Sequence, residues 1–592
     1  MKPGPASELA PLPAGRYWLL LLLGCLALPA AWAALVLHSA SWAEARALEQ
    51  LFPYFNFRLR PFTAADWQLY QRGTAGLAGA LTLAWLATGP LSAAGRRQLR
   101  GTGAELRVLG GALVGRWRAL PAGQRRGALL GLGALTAVRA YLGYRLHWAD
   151  DAVSFEFFVR QRLLAPAAYY PLPNNHVLSN VLDWAFYQLH PGFWWSMRLP
   201  VLLTSTAGTV LLGAGLLRRL GYWPALLAAG LMSVVELSLY HAGAGRGYWL
   251  VATAAALQFL AVLALQSQPE AGQAATPRVA WLALAGAALV GCYAVPVGVY
   301  SLASALSWLA VRAVRARQGR ALAAVAGLGA AVGAGLLLLY LPLLLVSGPA
   351  ALTANTYVLR LGAGQFYRQL PRFAWLMEGQ LLGQRHVGAL GLLLVLGLFV
   401  RLWQRQRRGQ LPAALTRAVP AVGGPALWFG AFPYALLLVQ RVLPPERTWL
   451  YKSWFTFILA ALVLAGWSWQ RPARRWLLGV GLGLFGGYQL ANQLRLDRAS
   501  WQGRESHRAV EAWLAAHPQA RPALVPEVYL WAWFRFNAHI EHPGQPFTAE
   551  QQARPGQLYG SIVSGSAQAP PGAGALWYQA GNLRIYHVAP PR

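Results

Sequence analysis

Only five aspartates occur in these 592 residues, and two of them are adjacent, Asp150 and Asp151. A carboxylate in a loop can act as a general base towards a hydroxyl group, or hold a divalent cation through oxygen. It can equally cap the helix expected to start near Val153, a role that needs only one of the pair. Some twenty residues further on, Asn174, Asn175 and His176 follow a Pro-Leu-Pro turn. Amides and an imidazole suit sugar hydroxyls, although a turn with an Asn cap is the plainer reading. The run His241-Ala-Gly-Ala-Gly-Arg246-Gly-Tyr248 sets an arginine between glycines. Its guanidinium suits a phosphate by a two-pronged contact, and glycines let backbone approach a ligand closely. Glu236 lies inside an apolar segment, where an acid is a candidate functional group. Pro445-Glu446-Arg447 supplies a further cation late in the chain, five residues before Lys452. On one helix those two cations would sit about 140° apart and could not face one ligand.

The elements that carry these residues are apolar. The chain is 56% hydrophobic and 12% charged, with a mean hydropathy of +0.37. Thirteen segments have the length and hydropathy of spans: 17–37, 73–94, 127–146, 199–217, 222–240, 248–266, 280–294, 296–311, 321–346, 387–402, 421–440, 451–469 and 474–492. The pair at 280–311, divided by Pro296, is short for two crossings and reads as a tight hairpin that need not cross fully. The net charge of +32 comes almost wholly from arginine, since Lys2 and Lys452 are the only lysines. The arginines concentrate in alternate loops, eight of them in 95–126. That pattern is the positive-inside signature rather than a nucleic-acid footprint, so no nucleic-acid partner is expected. It places the N-terminus inside, and the long loops 38–72, 147–198 and 347–386 outside together with the tail.

Those outer loops hold His38, His147, His176, His190 and His386, whereas the inner loops hold no histidine. Within 147–198, segments 153–164 and 177–190 have the helical apolar spacing of short helices lying in the interface. Tyr169, Tyr170, Trp194 and Trp195 would anchor them at headgroup depth. In the tail, 504–516 reads as a helix, and 523–525 and 583–588 read as strands of a small α/β domain. Cys25 and Cys292 fall in apolar segments and suggest neither a disulfide nor a metal site. No GxxxxGK[ST], HExxH or CxxC pattern occurs.

The order of these pieces resembles the GT-C membrane glycosyltransferases of the protein O-mannosyltransferase and aminoarabinose-transferase type (glycosyltransferase family 39 and its relatives). The pieces are Asp150-Asp151, Pro173-Asn174-Asn175-His176, Arg198-Leu199-Pro200, Arg218-Arg219-Leu220-Gly221, Gly245-Arg246-Gly247-Tyr248 and Pro445-Glu446-Arg447. The resemblance spans roughly 127–492. One departure is the second acid of the pair, which is Asp where relatives often have Glu.

The spans and loops read above, together with the resemblance, point to an all-α polytopic fold of about thirteen transmembrane helices, with interfacial helices on the outer face and a small C-terminal α/β domain. Its divisions would be 1–126 (two helices and an Arg-rich cytoplasmic loop), 127–492 (the catalytic bundle) and 493–592 (the extracytoplasmic domain). The resemblance implies inverting transfer of a sugar from a polyprenyl-phosphate donor to a glycan, lipid or protein acceptor in a bacterial inner membrane. Asp150 or Asp151 would be the base. Asn174, Asn175, His176, Glu236, Arg246, Tyr248 and Arg447 would bind substrate. No cofactor is specified, and the resemblance leaves a divalent cation open. The rival function is a flippase or transporter of lipid-linked sugars, which shares the spans and the basic sites but needs broken helices in repeated halves. No such halves are visible in the sequence.

Overall fold

A computed structural model describes residues 12–588 apart from 14, 51–61, 146–148, 172–173, 267–276, 354–358, 467–471, 542–548, 552 and 554–556. His147 and Pro173 therefore lie outside the described residues. Over the described residues, each of the thirteen apolar segments falls mainly on helix. Eight helices among the described residues are long and apolar enough to cross a membrane, and ten if each of two bent pairs is one span. The other three segments lie in Ala122–Arg145, in the short apolar helix Lys452–Ala465 and in Pro472–Ala516. The chain is an integral membrane protein of mostly helical fold with a small sheet at its C-terminal end.

The Tyr248–Leu265 helix is the centre of the bundle. Apolar on every side, it buries Trp249, Phe259 and a run of alanines and valines. Its alanines allow close approach by the Leu199–Leu220 and Pro277–Ala294 helices that flank it. The expected partial hairpin at 280–311 is instead two full-length helices, Pro277–Ala294 and Val299–Arg315, joined by a tight 3₁₀ turn at Pro296–Gly298. Gly298 permits the turn, because a Cβ there would lie 2.6 Å from the Gly291 backbone.

Two helix pairs are sharply bent. Ala64–Thr88 and Ala93–Arg118 meet at 84° around Gly89, and Tyr222–Val234 and Glu236–Gly243 meet at 67° at an extended Val235. The expected interfacial helix over 153–164 begins earlier, at Ala149, passes into a π turn at Phe155–Val159, and ends at Arg160. Every residue of that π turn is buried, so it is packed on all sides by protein. Tyr169 and Tyr170 are likewise buried in protein and so do not present their rings as interfacial anchors. The Val177–Leu189 helix forms as expected.

Pro472–Ala516 is one helix of 45 residues that runs from the bundle into the tail. At 1.5 Å per residue it is about 67 Å long. The tail sheet has the order β2-β1-β3-β5-β4, with β1 Ala523–Leu524, β2 Ala549–Glu550, β3 Ser561–Ser564, β4 Ala573–Ala580 and β5 Leu583–Val588. β1 pairs in parallel with β2 and β3, and β5 pairs antiparallel with β3 and β4. Val510, Val525, Phe534, Val563 and Ile585 form the small core beneath it.

The tail is fastened to the Asp150 region by the Val528–Glu541 helix. Phe536 meets Phe155 and Phe193 edge-on at 5.8 and 4.7 Å, and Arg535 Nε pairs with Glu156 Oε2 at 3.0 Å.

Candidate active site

Asp150 and Asp151 open the Ala149–Ser154 helix, in its first turn rather than at a cap. Adjacent helical residues diverge by about 100°, and the two carboxylates accordingly go to different places. Asp150 is partly open and lines a cavity of about 690 Å³. Asp151 is fully buried beside it, in an ion pair with Arg198 Nη1 at 2.7 Å. Arg198 also donates from Nε to the Gly143 carbonyl at 3.1 Å and lies 4.8 Å from the Phe193 ring.

The cavity collects groups from distant parts of the chain. It is lined by Asp150, Tyr170, Asn174, His176, Arg246, Tyr248, Arg360, Gln440, Arg447 and Thr448, with an apolar wall from Val295, Pro296, Val297, Val299, Val439 and Val442. Val299 and Val439 in this wall are exposed. Tyr529 of the tail domain closes one part of it.

Arg246 is the hub. Its Nη1 pairs with Asp150 Oδ2 at 2.9 Å and donates to Asn174 Oδ1, while its Nη2 contacts His176 Nε2 at 3.1 Å. Asn174 completes a ring by donating to the Asp150 backbone carbonyl at 2.9 Å. The flanking glycines serve this placement. A Cβ on Gly245 would lie 2.8 Å from Met197, and one on Gly247 3.1 Å from Val295. They approach protein, not an open ligand space as the sequence suggested, and so drive Arg246 into the cavity wall. Arg447 sits on the 3₁₀ turn Glu446–Trp449 and donates from Nε to the Tyr248 hydroxyl at 3.1 Å. The Tyr248 ring packs edge-on against His176 at 4.7 Å.

The electrostatics follow from burial and these contacts. Burial, with Arg246, His241 and Arg447 nearby, holds His176 well below the usual imidazole range, so the ring is neutral. Burial opposes the charge on Arg246, but Asp150 and Tyr248 outweigh it and hold the guanidinium above its ordinary value. Burial likewise opposes the charge on Arg447, and Tyr248 outweighs it. Asp183, buried on the Val177–Leu189 helix, is pushed well above the carboxylate range by burial and by Asp151, against the pull of Arg198.

Of the residues singled out from the sequence, Asp150, Asn174, His176, Arg246, Tyr248 and Arg447 converge on the cavity. Two do not line it. Asn175 is turned inward and donates to the carbonyls of Pro166 and Tyr169 at 2.9 and 2.7 Å, holding the loop. Glu236 starts the second helix of a bent pair, and its backbone N–H donates to Gln489 Oε1 at 3.0 Å. Lys452 parts from Arg447 and is buried against Glu378. Arg360, Gln440 and Tyr529 were missed, because each lies in a segment with no chemical pattern of its own, and Tyr170 was read as an interfacial anchor rather than a cavity residue. Asp183 was missed because it sits mid-helix, although an acid on the buried face of an apolar helix is a signal.

Asp150 and Asp151 each carry an arginine partner, and among the described residues no three His, Cys, Asp or Glu converge.

The cavity thus combines cationic side chains, an apolar wall and, among the described residues that line it, a single carboxylate. No family model matches the chain, and no curated protein matches it. Among solved structures, a neighbour is the crystal structure of ArnT from Cupriavidus metallidurans bound to undecaprenyl phosphate. It is 16% identical, over 70% of this chain and 74% of that one, with a TM-score of 0.39.

Proposed function

We propose that the chain is a GT-C-type membrane glycosyltransferase that moves a sugar from a polyprenyl-phosphate donor to an acceptor hydroxyl at the outer face of the membrane. The observation that carries this reading is the cavity, where Asp150 shares one space with Arg246, Arg447 and an apolar valine wall. A carrier lipid needs the wall, its phosphate needs the arginines, and an incoming hydroxyl needs the carboxylate. The outer-face placement rests on the arginine distribution of the loops. Residues 127–492 form the catalytic bundle in this reading, 1–126 an N-terminal addition, and 493–592 an extracytoplasmic domain that contributes Tyr529.

The reaction is a single displacement. The acceptor oxygen forms a bond to the anomeric carbon while its proton passes to Asp150. The bond from that carbon to the phosphate oxygen breaks, and the electron pair leaves on the phosphate. Arg246 and Arg447 stabilise the charge that develops there, as preorganised cations do without reorganisation cost. Attack opposite the leaving group inverts the anomeric centre. Asp151 takes no proton; it is the counter-ion that fixes Arg198 and, through the helix, Asp150. The acceptor is a glycan, lipid or protein hydroxyl.

The test is product analysis with the full chain in lipid nanodiscs. A polyprenyl-phosphate sugar and a mixed extract of envelope hydroxyl acceptors are supplied. Release of free polyprenyl phosphate with the sugar on a new oxygen supports transfer. In proteoliposomes, movement of intact donor across the bilayer without cleavage would replace this reading with that of a flippase.

A further inference from the structure

Arg246 and His176 meet in an incomplete arrangement. The Gly247 backbone N–H donates to His176 Nδ1 at 2.9 Å, and Arg246 Nη2 points at His176 Nε2 at 3.1 Å. A neutral imidazole has one acceptor nitrogen and one N–H, so it can accept only one of these two bonds. The backbone N–H is fixed by the chain, whereas a guanidinium can rotate. Nδ1 is therefore the acceptor, and Nε2 carries the proton. Two donors then face each other on the cavity wall with no acceptor between them. On its other edge the same guanidinium is occupied by Asp150 at 2.9 Å, whose side chain is 39% exposed against 7% for Arg246.

On the functional reading above, we propose that the donor phosphate docks on His176 Nε2–H and Arg246, and that Arg246 exchanges Asp150 for the phosphate as it does so. A phosphate oxygen supplies the acceptor that the two facing donors lack. A guanidinium engages phosphate best through two parallel N–H groups, and one of the two Nη atoms is held by Asp150. Asp150 is the partner that gives way at least cost, since its side chain is the more exposed of the two and lines the cavity, while Arg246 stays anchored to Asn174. The consequence is an order of events. The carboxylate is tied to a cation until the donor is seated, and only then is it free to accept the hydroxyl proton. The departing phosphate remains on Arg246 and His176 after the carbon–oxygen bond breaks.

Two measurements on the full chain in nanodiscs test the exchange, with a polyprenyl monophosphate as the probe. The first is a structure of the complex. The expected result is a phosphate oxygen within hydrogen-bond distance of both His176 Nε2 and Arg246, with Asp150 moved out of ion-pair contact. A phosphate bound elsewhere, or an Asp150–Arg246 pair still intact beside it, overturns the exchange. The second is affinity. Asp150→Asn removes the competitor for Arg246, so it should bind the lipid phosphate about tenfold more tightly than the unaltered chain, whereas His176→Phe should bind it about tenfold less tightly. Equal or weaker binding by Asp150→Asn overturns the proposal even if the variant is fully folded. Failure of the unaltered, folded protein to bind polyprenyl phosphate at all would overturn the functional reading itself and the exchange with it.

Discussion

Changing Asp151 to asparagine should damage the protein chiefly as a folded object. Its carboxylate is completely buried, and Arg198, its partner at 2.7 Å, is only 7% exposed. Taking away one member of such a buried pair leaves an uncompensated charge and typically costs about 3–5 kcal/mol. Two features of this site soften the loss. Arg198 keeps its bond to the Gly143 carbonyl and its place over the Phe193 ring. Asp183, whose carboxyl is held in the neutral form by burial and by Asp151, can ionise once Asp151 is gone and take up part of the arginine charge. The lower end of the range, about 3 kcal/mol, is therefore expected for Asp151→Asn. For Asp150→Asn about 1 kcal/mol is expected, because that carboxylate is 39% exposed and its pair is partly screened. The assay is denaturant unfolding of the purified protein in detergent, followed by tryptophan fluorescence, with both variants measured beside the unaltered chain. A second denaturation of Asp151→Asn/Asp183→Asn should show a further drop, since the substitute counter-ion is gone. An Asp151→Asn variant as stable as the unaltered protein, or less affected than Asp150→Asn, would refute the assignment of Asp151 as a buried counter-ion.

Other substitutions follow from the same contacts. Arg246→Lys keeps the charge but loses the two-pronged geometry, so KM for the donor should rise by about tenfold or more with KM for the acceptor little changed; equal effects on both would count against a phosphate role. Asp183 has a raised folded-state pKa, so its contribution to stability is present at low pH and declines as pH rises above about 4. Asp183→Asn should therefore gain stability relative to the unaltered chain at alkaline pH, with the gap closing towards about pH 4; a pH-independent difference would contradict this. Glu378 and Lys452 form a buried pair that Tyr434 joins from a third helix, donating its hydroxyl to Glu378, with the ammonium 4.4 Å from the Trp449 ring beside Arg447. Lys452→Met alone should cost about 3–5 kcal/mol, and Lys452→Met/Glu378→Gln should recover most of that loss in the same unfolding assay.

Much of this site was legible because local geometry decided it. Adjacent helical aspartates must diverge, and Asp150 and Asp151 do. Arg246 between two glycines had to be a point of close approach, although the surface approached is Met197 and Val295 rather than a ligand. The spans were legible from length and hydropathy, yet their breaks were not. Nothing in Val234-Val235-Glu236 marks the bend that takes Glu236 away from the cavity, since packing rather than propensity sets it. The same holds for Pro472–Ala516, where one helix continues from an apolar stretch into a polar one without any capping signal. Tyr529 could not be placed from sequence, because it reaches the cavity through the docking of a whole domain on Phe155 and Glu156. Asn175 shows the opposite limit. It stands between two cavity residues in sequence, but the carbonyls of Pro166 and Tyr169 claim its amide.

The central claim is that Asp150 is the base of a transfer reaction in the Arg246 cavity. It is tested most directly by single-turnover measurement of polyprenyl phosphate release from a polyprenyl-phosphate sugar, comparing the unaltered chain, Asp150→Asn and Asp151→Asn at equal amounts of folded protein. Loss of a general base removes about 10²–10⁴-fold in rate. The account predicts a fall of that size for Asp150→Asn with donor still bound, and a far smaller fall per folded molecule for Asp151→Asn. Release by Asp150→Asn at the unaltered rate would contradict it.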